Sequence, residues 1–373
     1  MLRPTTEEEL AELLAEADAA GRSLIPRGGG TKLGWGRPAQ GEFLSLRELD
    51  RMIALEPGDF VCVAQAGMRL ADLAAALRAE PGHRQRLMLD PPHGADATIG
   101  GIVATNASGP LRHRYGAPRD LVIGARMVLA DGTRAKTGGR VVKNVAGYDL
   151  ARLLCGSLGS IAVITELAFR LHPVPEATVA VLLETRDANR AAAFAAAVRG
   201  DGLAPTQVEV AWPDGRVMVR FDSTPTAARE QALTAAAFDP DARALSDSDR
   251  RMLVPRLVDR PWTGKGAVLG VGVPLAAVAD LLRLAAGRCE DLVLRAGVGV
   301  GEARLVGDAA EVAAFRDGVV ALGGHVAPRR LPPMLADLTW PEPDPVSRSL
   351  TLAIKQRLDP NGTLAPGRLA EAA

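Results

Sequence analysis

Cysteine is scarce in this chain and histidine is scattered. Cys62, Cys155 and Cys289 are far apart, odd in number and form no CxxC pair. An iron–sulfur cluster of the usual kind takes four thiolates, so this sequence cannot build one alone, and buried free thiols are expected. His83, His93, His113, His172 and His325 make no HxxH or HxxxH spacing, so no dedicated metal site is expected. Net charge is absent too: Lys plus Arg and Asp plus Glu each count 44. Without a basic excess there is no general attraction to nucleic acid or anionic lipid, and neither is expected as a partner. No stretch approaches the roughly 20 uninterrupted apolar residues of a membrane helix, so no direct membrane insertion is expected. Met1 to Glu9 turns acidic at once, with no apolar run behind a basic start, which predicts no export signal. A cytoplasmic protein is expected, peripheral to a membrane only through partners. Any redox chemistry must then come from an organic cofactor.

Glycine runs are what the chain does have. Gly28-Gly29-Gly30 follows a short strand, Ser23 to Pro26, and is flanked by Arg27 and Lys32. Glycine loses more backbone entropy on ordering than other residues, so such a run is kept where the backbone turns tightly or lies against something. Two readings stand at this point. One is a flexible surface loop; the other is a nest of N–H groups for an anion such as a nucleotide diphosphate. A Rossmann site is excluded, because its glycine turn opens a helix. Here Leu33-Gly34-Trp35-Gly36-Arg37-Pro38 is irregular.

With 373 residues, 47% hydrophobic and 24% charged, the chain predicts two or three globular domains. Thr6 and Glu9 form a capping box for a helix carrying Leu10, Leu13, Leu14 and Ala17 on one face. Strands are expected at Phe43 to Leu46, Phe60 to Ala64 and Leu87 to Leu89, with a helix from Leu70 to Ala79. Thr98 is a plausible N-cap before Ile99-Gly100-Gly101, and small residues continue to Ser108-Gly109. Leu121 to Ala130 turns at Asp131-Gly132 into a hairpin. Leu150 to Leu154 is a short helix, and Ile161 to Leu171 closes the unit before Pro173 and Pro175. Beyond Ala177, two similar passes of strand, helix, strand, strand and helix suggest an internal duplication in an α+β domain. The charged segment 239–261 between them reads as a loop or lid. A proline linker around Pro332-Pro333 and Trp340 to Pro345 leads to a last helix and the turn-rich tail Asp359 to Arg368, expected to dock on the body.

Four of these motifs occur in one order: the triple-glycine loop, Thr98-Ile99-Gly100-Gly101, Gly156-Ser157-Leu158-Gly159 before Val163 to Glu166, and Asp359-Pro360-Asn361-Gly362. In that order the chain resembles FAD-linked oxidases and dehydrogenases with the vanillyl-alcohol-oxidase (PCMH-type) flavin domain. The stretch 142–150 and the tail narrow the resemblance to the glycolate oxidase and D-lactate dehydrogenase branch. Short length and Pro91-Pro92-His93 look most like the FAD-binding subunits of bacterial glycolate oxidases.

The resemblance implies an α+β fold: a PCMH-type FAD-binding domain of two subdomains over 1–174 and a smaller ferredoxin-like cap domain over 175–331. A linker, helix and tail over 332–373 would return to the FAD domain. It implies that Pro26, Arg27, Gly28, Gly29, Gly30, Thr31 and Lys32 wrap the FAD pyrophosphate. Thr98, Ile99, Gly100, Gly101, Ser108, Gly109 and Gly116 would line the flavin and its phosphates, with Pro91 and Pro92 bordering the ring system. Gly156, Gly159 and Ile164 would sit near the adenosine end. Some relatives bond the flavin to a histidine inside the first glycine loop; this loop has none, so dissociable FAD is expected. The implied activity is glycolate or another 2-hydroxy acid oxidation, with a companion FAD-dependent catalytic subunit and an iron–sulfur subunit as partners. A stand-alone oxidoreductase and a non-catalytic FAD-holding scaffold are the alternatives. Relatives with independent activity carry clustered histidines in the second domain. Here that domain contains only His325, and Arg295 to Glu302 offers no histidine. Arg112 and Arg114 are candidates for a substrate carboxylate, with a salt bridge to Asp120 or a flavin phosphate contact as alternatives; no catalytic base is evident.

Overall fold

The computed structural model describes residues 1–82, 84–139, 149–200, 202–246, 257, 259–336, 338–340 and 344–369. His83, residues 142–148 of the 142–150 stretch, 247–256 of the charged segment and 341–343 of the linker lie outside them. The chain divides into two compact units. One comprises Met1–Ser108, Gly116–Val174 and the described part of Pro341–Ala373; the other comprises Gly109–Tyr115 and Pro175–Trp340. The segment 109–115 therefore leaves the sequence neighbourhood of the first unit and clusters with the second.

In the first unit the helix Glu7–Ala19 buries Leu10, Leu14 and Ala17 against Leu24, Leu44, Leu49 and Val128. Thr6 caps it by accepting from the Glu9 N–H at 3.1 Å, and the Glu9 carboxylate accepts from Thr5 N and Oγ1. Strands Leu24–Arg27 and Glu42–Ser45 run parallel, with Arg27 opposite Ser45. Five antiparallel strands make the second sheet, in the order Met52–Glu56, Val61–Gln65, Val163–Arg170, Val122–Val128 and Arg134–Gly138. The expected strand at 87–89 is instead buried irregular chain. Two residues earlier, Gln85–Arg86 pairs with His172–Pro173. Pro91 and Pro92 lack the N–H groups that would extend a ladder.

The tail docks on the parallel pair. Leu24 donates to Thr363 O at 2.7 Å and Ala365 donates to Leu24 O at 2.8 Å, so Leu364 continues the sheet. Behind it the buried Asp359 carboxylate accepts from Thr363 N and Leu364 N, each at 2.8 Å, and from Lys355 Nζ. Asp18 on the first helix accepts from Asn361 Nδ2 and Thr363 Oγ1.

The second unit holds an eight-stranded antiparallel sheet that makes the duplication explicit. Its order is Arg243–Ala244, Ala177–Glu184, Arg216–Ser223, Gln207–Trp212, Asp291–Arg295, Val300–Leu305, Ala267–Gly272 and His325–Arg330. Each half is a ferredoxin-like βαββαβ unit with its second strand at the centre of the whole sheet. Helices Ala188–Gly200, Pro225–Ala236, Val278–Ala285 and Ala309–Ala321 supply the apolar side chains that pack on one face of the sheet. On the other face the halves differ. In the first, Ala180, Leu182, Ala211 and Met218 are covered by Leu245 and Leu257 of the charged segment. Ala211 pairs with Arg216 as Arg295 pairs with Val300, and Glu209 with Met218 as Val293 with Glu302. Arg295 and Glu302 thus occupy the places that Ala211 and Met218 hold in the first half.

Candidate functional site

The glycine loop, the helix Ile99–Thr105, the 158–164 segment and the tail surround one cleft in the first unit, partly open to solvent. Twelve of the residues singled out from sequence line it: Pro26, Arg27, Gly28, Gly29, Gly30, Thr31, Lys32, Thr98, Gly100, Gly101, Gly159 and Ile164. Seven do not. Ile99 is wholly buried in the core, and Gly156 serves a turn, its N–H donating to Val103 O. Gly116 packs on Asp120, whose carboxylate accepts from Ala117 N rather than from Arg112 or Arg114. Pro91, Pro92 and Ser108 lie outside the lining, and Gly109 belongs to the second unit.

The loop glycines act by close approach more than by unusual dihedrals. A Cβ on Gly28 would sit 1.9 Å from Thr98 Oγ1, and one on Gly29 would sit 2.0 Å from Asp96 O. Of the three only Gly30 has positive φ, at 76°. The loop backbone is therefore pressed against the turn that begins the Thr98 helix. Thr98, almost fully buried, accepts from Gly101 N at 3.3 Å. Gly101 faces open space: an added Cβ would meet only Thr98 Oγ1, at 3.2 Å. Gly159, at φ 74°, brings its turn within van der Waals reach of the Pro26 ring.

Two buried cations share this cleft. Lys32 is 8% exposed, bonded to Thr31 Oγ1 at 3.2 Å, with its ammonium 5.9 Å from the centroid of the Trp35 ring. Burial pushes its pKa down from the ordinary 10.5 to about 8. Arg368, from the tail, is 9% exposed and donates from one terminal nitrogen to Trp35 O at 2.7 Å and Arg37 O at 3.1 Å. Its Nε is buried without a hydrogen-bond acceptor, and burial lowers its pKa as well. Neither cation pairs with a carboxylate among the described residues. Sequence reading found Lys32 and missed Arg368, as it missed the apolar wall of Leu46, Ala66, Ala104, Leu158 and Ala162. A cleft with two buried positive charges that no carboxylate compensates and a wall of glycine backbone fits a doubly charged diphosphate, which is the anionic part of FAD.

The second unit has its own charged cluster, on that other face of the second half of its sheet. Arg295 pairs with Glu302 at 2.7 Å, both buried, and Glu209 stands opposite Arg295 on the neighbouring strand. Arg329 packs over Gly270, where a Cβ would lie 2.6 Å from its Nε. Burial lowers the Arg329 pKa, Glu302 raises it, and Arg295 and Arg112 lower it further. Arg112 is thus part of this cluster; exposed Arg114 is not buried in it. His113 lies against Gly297, its Nδ1 buried without a hydrogen-bond partner among the described residues. Burial, then Arg199 and Arg114, hold this imidazole below its ordinary pKa. The 295–302 stretch, which lacks a histidine of its own, receives one from the segment 109–115. No group of three or more metal-ligating side chains occurs among the described residues.

Comparison with known proteins shows the family. A family model described as an FAD binding domain matches residues 1–138. An uncharacterized FAD-linked oxidoreductase of Mycobacterium tuberculosis is 30% identical, covering 98% of this chain and 89% of that protein. Glycolate oxidase subunit GlcE of Escherichia coli is 36% identical over 178 residues, which are 48% of this chain and 50% of GlcE. The solved structure of an alkyldihydroxyacetonephosphate synthase has a TM-score of 0.73 at 16% identity, covering 98% of this chain and 76% of that one, a likeness of fold. The chain belongs to the FAD-linked oxidoreductases: it is an FAD-dependent enzyme of α+β, PCMH-type architecture, and FAD is its cofactor.

Proposed function

We propose that this chain is the FAD-binding subunit of a complex that oxidises glycolate or a similar small 2-hydroxy acid. The observation that carries the reading is the pair of buried, uncompensated cations facing glycine backbone in one cleft. Arg27 to Lys32 would cradle the pyrophosphate, Gly100, Gly101 and Thr98 would flank it, and Gly159 and Ile164 would complete the wall. Bound there, FAD supplies a two-electron acceptor for a substrate C–H bond. The similarity to a glycolate oxidase subunit over half of the chain supports the hydroxy-acid class and the work within an assembly. Cys62, Cys155 and Cys289 are each lone thiols pushed up to about 12 by burial, so an iron–sulfur relay would come from a partner.

The groups able to recognise a small acid are on the second unit. The Arg329 guanidinium, beside Arg112, has the planar donor fork that a carboxylate takes. His113, kept neutral by burial and two arginines, has the protonation state a general base needs at neutral pH.

Purification of the chain alone tests the reading. A yellow protein that is inactive with glycolate and D-lactate until companion subunits are added is the expected result. Turnover of either acid by the lone chain with an artificial acceptor would replace the subunit reading with an independent enzyme. A colourless chain that FAD cannot reconstitute would overturn both. Arg329→Met is expected to raise the KM for the acid at least tenfold in the assembled complex at unchanged flavin content; an unchanged KM would remove Arg329 from substrate recognition.

A further inference from the structure

We infer that the C-terminal tail is a working part of the cofactor site, with Arg368 as a direct contact to the FAD pyrophosphate, so that cofactor binding and tail docking reinforce each other. The inference rests on the proposed placement of FAD in this cleft. Arg368 lines the cleft, is nine-tenths buried, and has a buried Nε with no acceptor. An arginine that served only to hold the loop would need no more than its bonds to Trp35 O and Arg37 O. A second guanidinium edge left dry and uncompensated is costly unless an anion completes it.

The sign of the charge agrees. The diphosphate of FAD is anionic, and the cleft is lined by the half-buried Arg27 and by two buried cations without carboxylates, Lys32 from the glycine loop and Arg368 from the tail. Trp35 joins them, its ring beside Lys32 and its carbonyl accepting from Arg368. The tail itself is fixed by elements remote from the cleft: the Leu24–Leu364 bridge, the Asp359 carboxylate and Asp18. A ligand that takes up Arg368 must therefore favour the docked tail, and by linkage whatever undocks the tail must weaken the ligand by the same factor.

The test uses the full chain stripped of flavin. FAD dissociation constants are measured by flavin fluorescence for wild type, Arg368→Gln and Arg368→Lys, and tail release by limited proteolysis is followed by mass spectrometry. Arg368→Gln is expected to bind FAD and ADP about 10- to 100-fold more weakly, in keeping with loss of a charge-assisted bond. Arg368→Lys, which keeps the charge, is expected to recover part of that loss, a rescue that a purely structural role would not give. In wild type, saturating FAD is expected to slow tail cleavage at least tenfold, a readout that needs no variant to fold. Equal FAD affinity in wild type and Arg368→Gln, or equal tail cleavage with and without FAD, would overturn the inference while leaving the cradle intact. A wild-type chain that takes up no FAD would overturn the placement of the cofactor itself.

Discussion

Lys32 makes the affinity for FAD depend on pH in a way that can be calculated beforehand. In the cofactor-free chain burial lowers its pKa from 10.5 to about 8. At neutral pH the charged form therefore persists at a cost of roughly 3 kcal/mol, at about 1.4 kcal/mol per unit. For a base with a depressed native pKa, the unfolded chain binds more protons between the two pKa values. The cofactor-free protein thus gains stability as pH rises from about 8 to 10.5 and carries the full penalty below 8. A pyrophosphate beside the ammonium reverses the balance by favouring the charged form. FAD binding then captures a proton above pH 8, and the dissociation constant should rise up to tenfold per pH unit there. Titration of the flavin-free chain with FAD at constant ionic strength, from pH 6.5 to 9.5, reads this directly. Affinity should be flat to about pH 7.5 and then fall about 30-fold by pH 9.5. Lys32→Met should bind at least tenfold more weakly at pH 7, and its affinity should not vary over that range. A wild-type curve without slope, or the same slope in Lys32→Met, would refute the assignment of the pyrophosphate to Lys32.

Gly101→Ala should stabilise its helix by up to about 1 kcal/mol and yet lower FAD affinity at least tenfold, because its methyl enters the cleft and meets little else. Unfolding midpoints alongside FAD titrations check both signs. Gly29→Val is expected to abolish flavin retention while also loosening the turn at Asp96, visible as a lower unfolding temperature, since its Cβ has no room there. Asp359→Ala should destabilise the first unit by about 3 kcal/mol, as it leaves Lys355 and two buried N–H groups without their acceptor; urea denaturation with tail proteolysis measures it. Acid precipitation of the flavin-loaded chain should release all FAD to the supernatant, because no histidine or cysteine is among the described residues lining the cleft; flavin retained in the pellet would contradict it.

Local rules were readable wherever one short stretch contains its own cause. Thr98 caps the helix it precedes, Asp131-Gly132 turns its hairpin, and the two passes after Ala177 show their common pattern because each strand and helix has its own periodicity. Lys32 was readable for the same reason, being next to the glycines it serves. Of the two reasons that such a run is kept, close approach applies to Gly28 and Gly29, which lie against Thr98 and Asp96, and only Gly30 has positive φ. Arg368 and His113 could not be read, since each packs beside residues far away in sequence. Strand His325–Arg330 was also missed. At a sheet edge, with Pro328 and two arginines, it lacks an alternating apolar signature.

The adjacency of Leu24 and Leu364 has a consequence for biosynthesis. Translation delivers the glycine loop early, but its sheet neighbour and Arg368 emerge only after the whole second unit has been made. Domains generally fold in order of synthesis, at about 5–20 residues per second. The second unit should therefore fold on the ribosome while the first waits, its cleft lacking a wall for tens of seconds. A nascent chain halted before residue 359 would be unable to hold flavin tightly. Loading of the cofactor then has to follow the synthesis of residue 368.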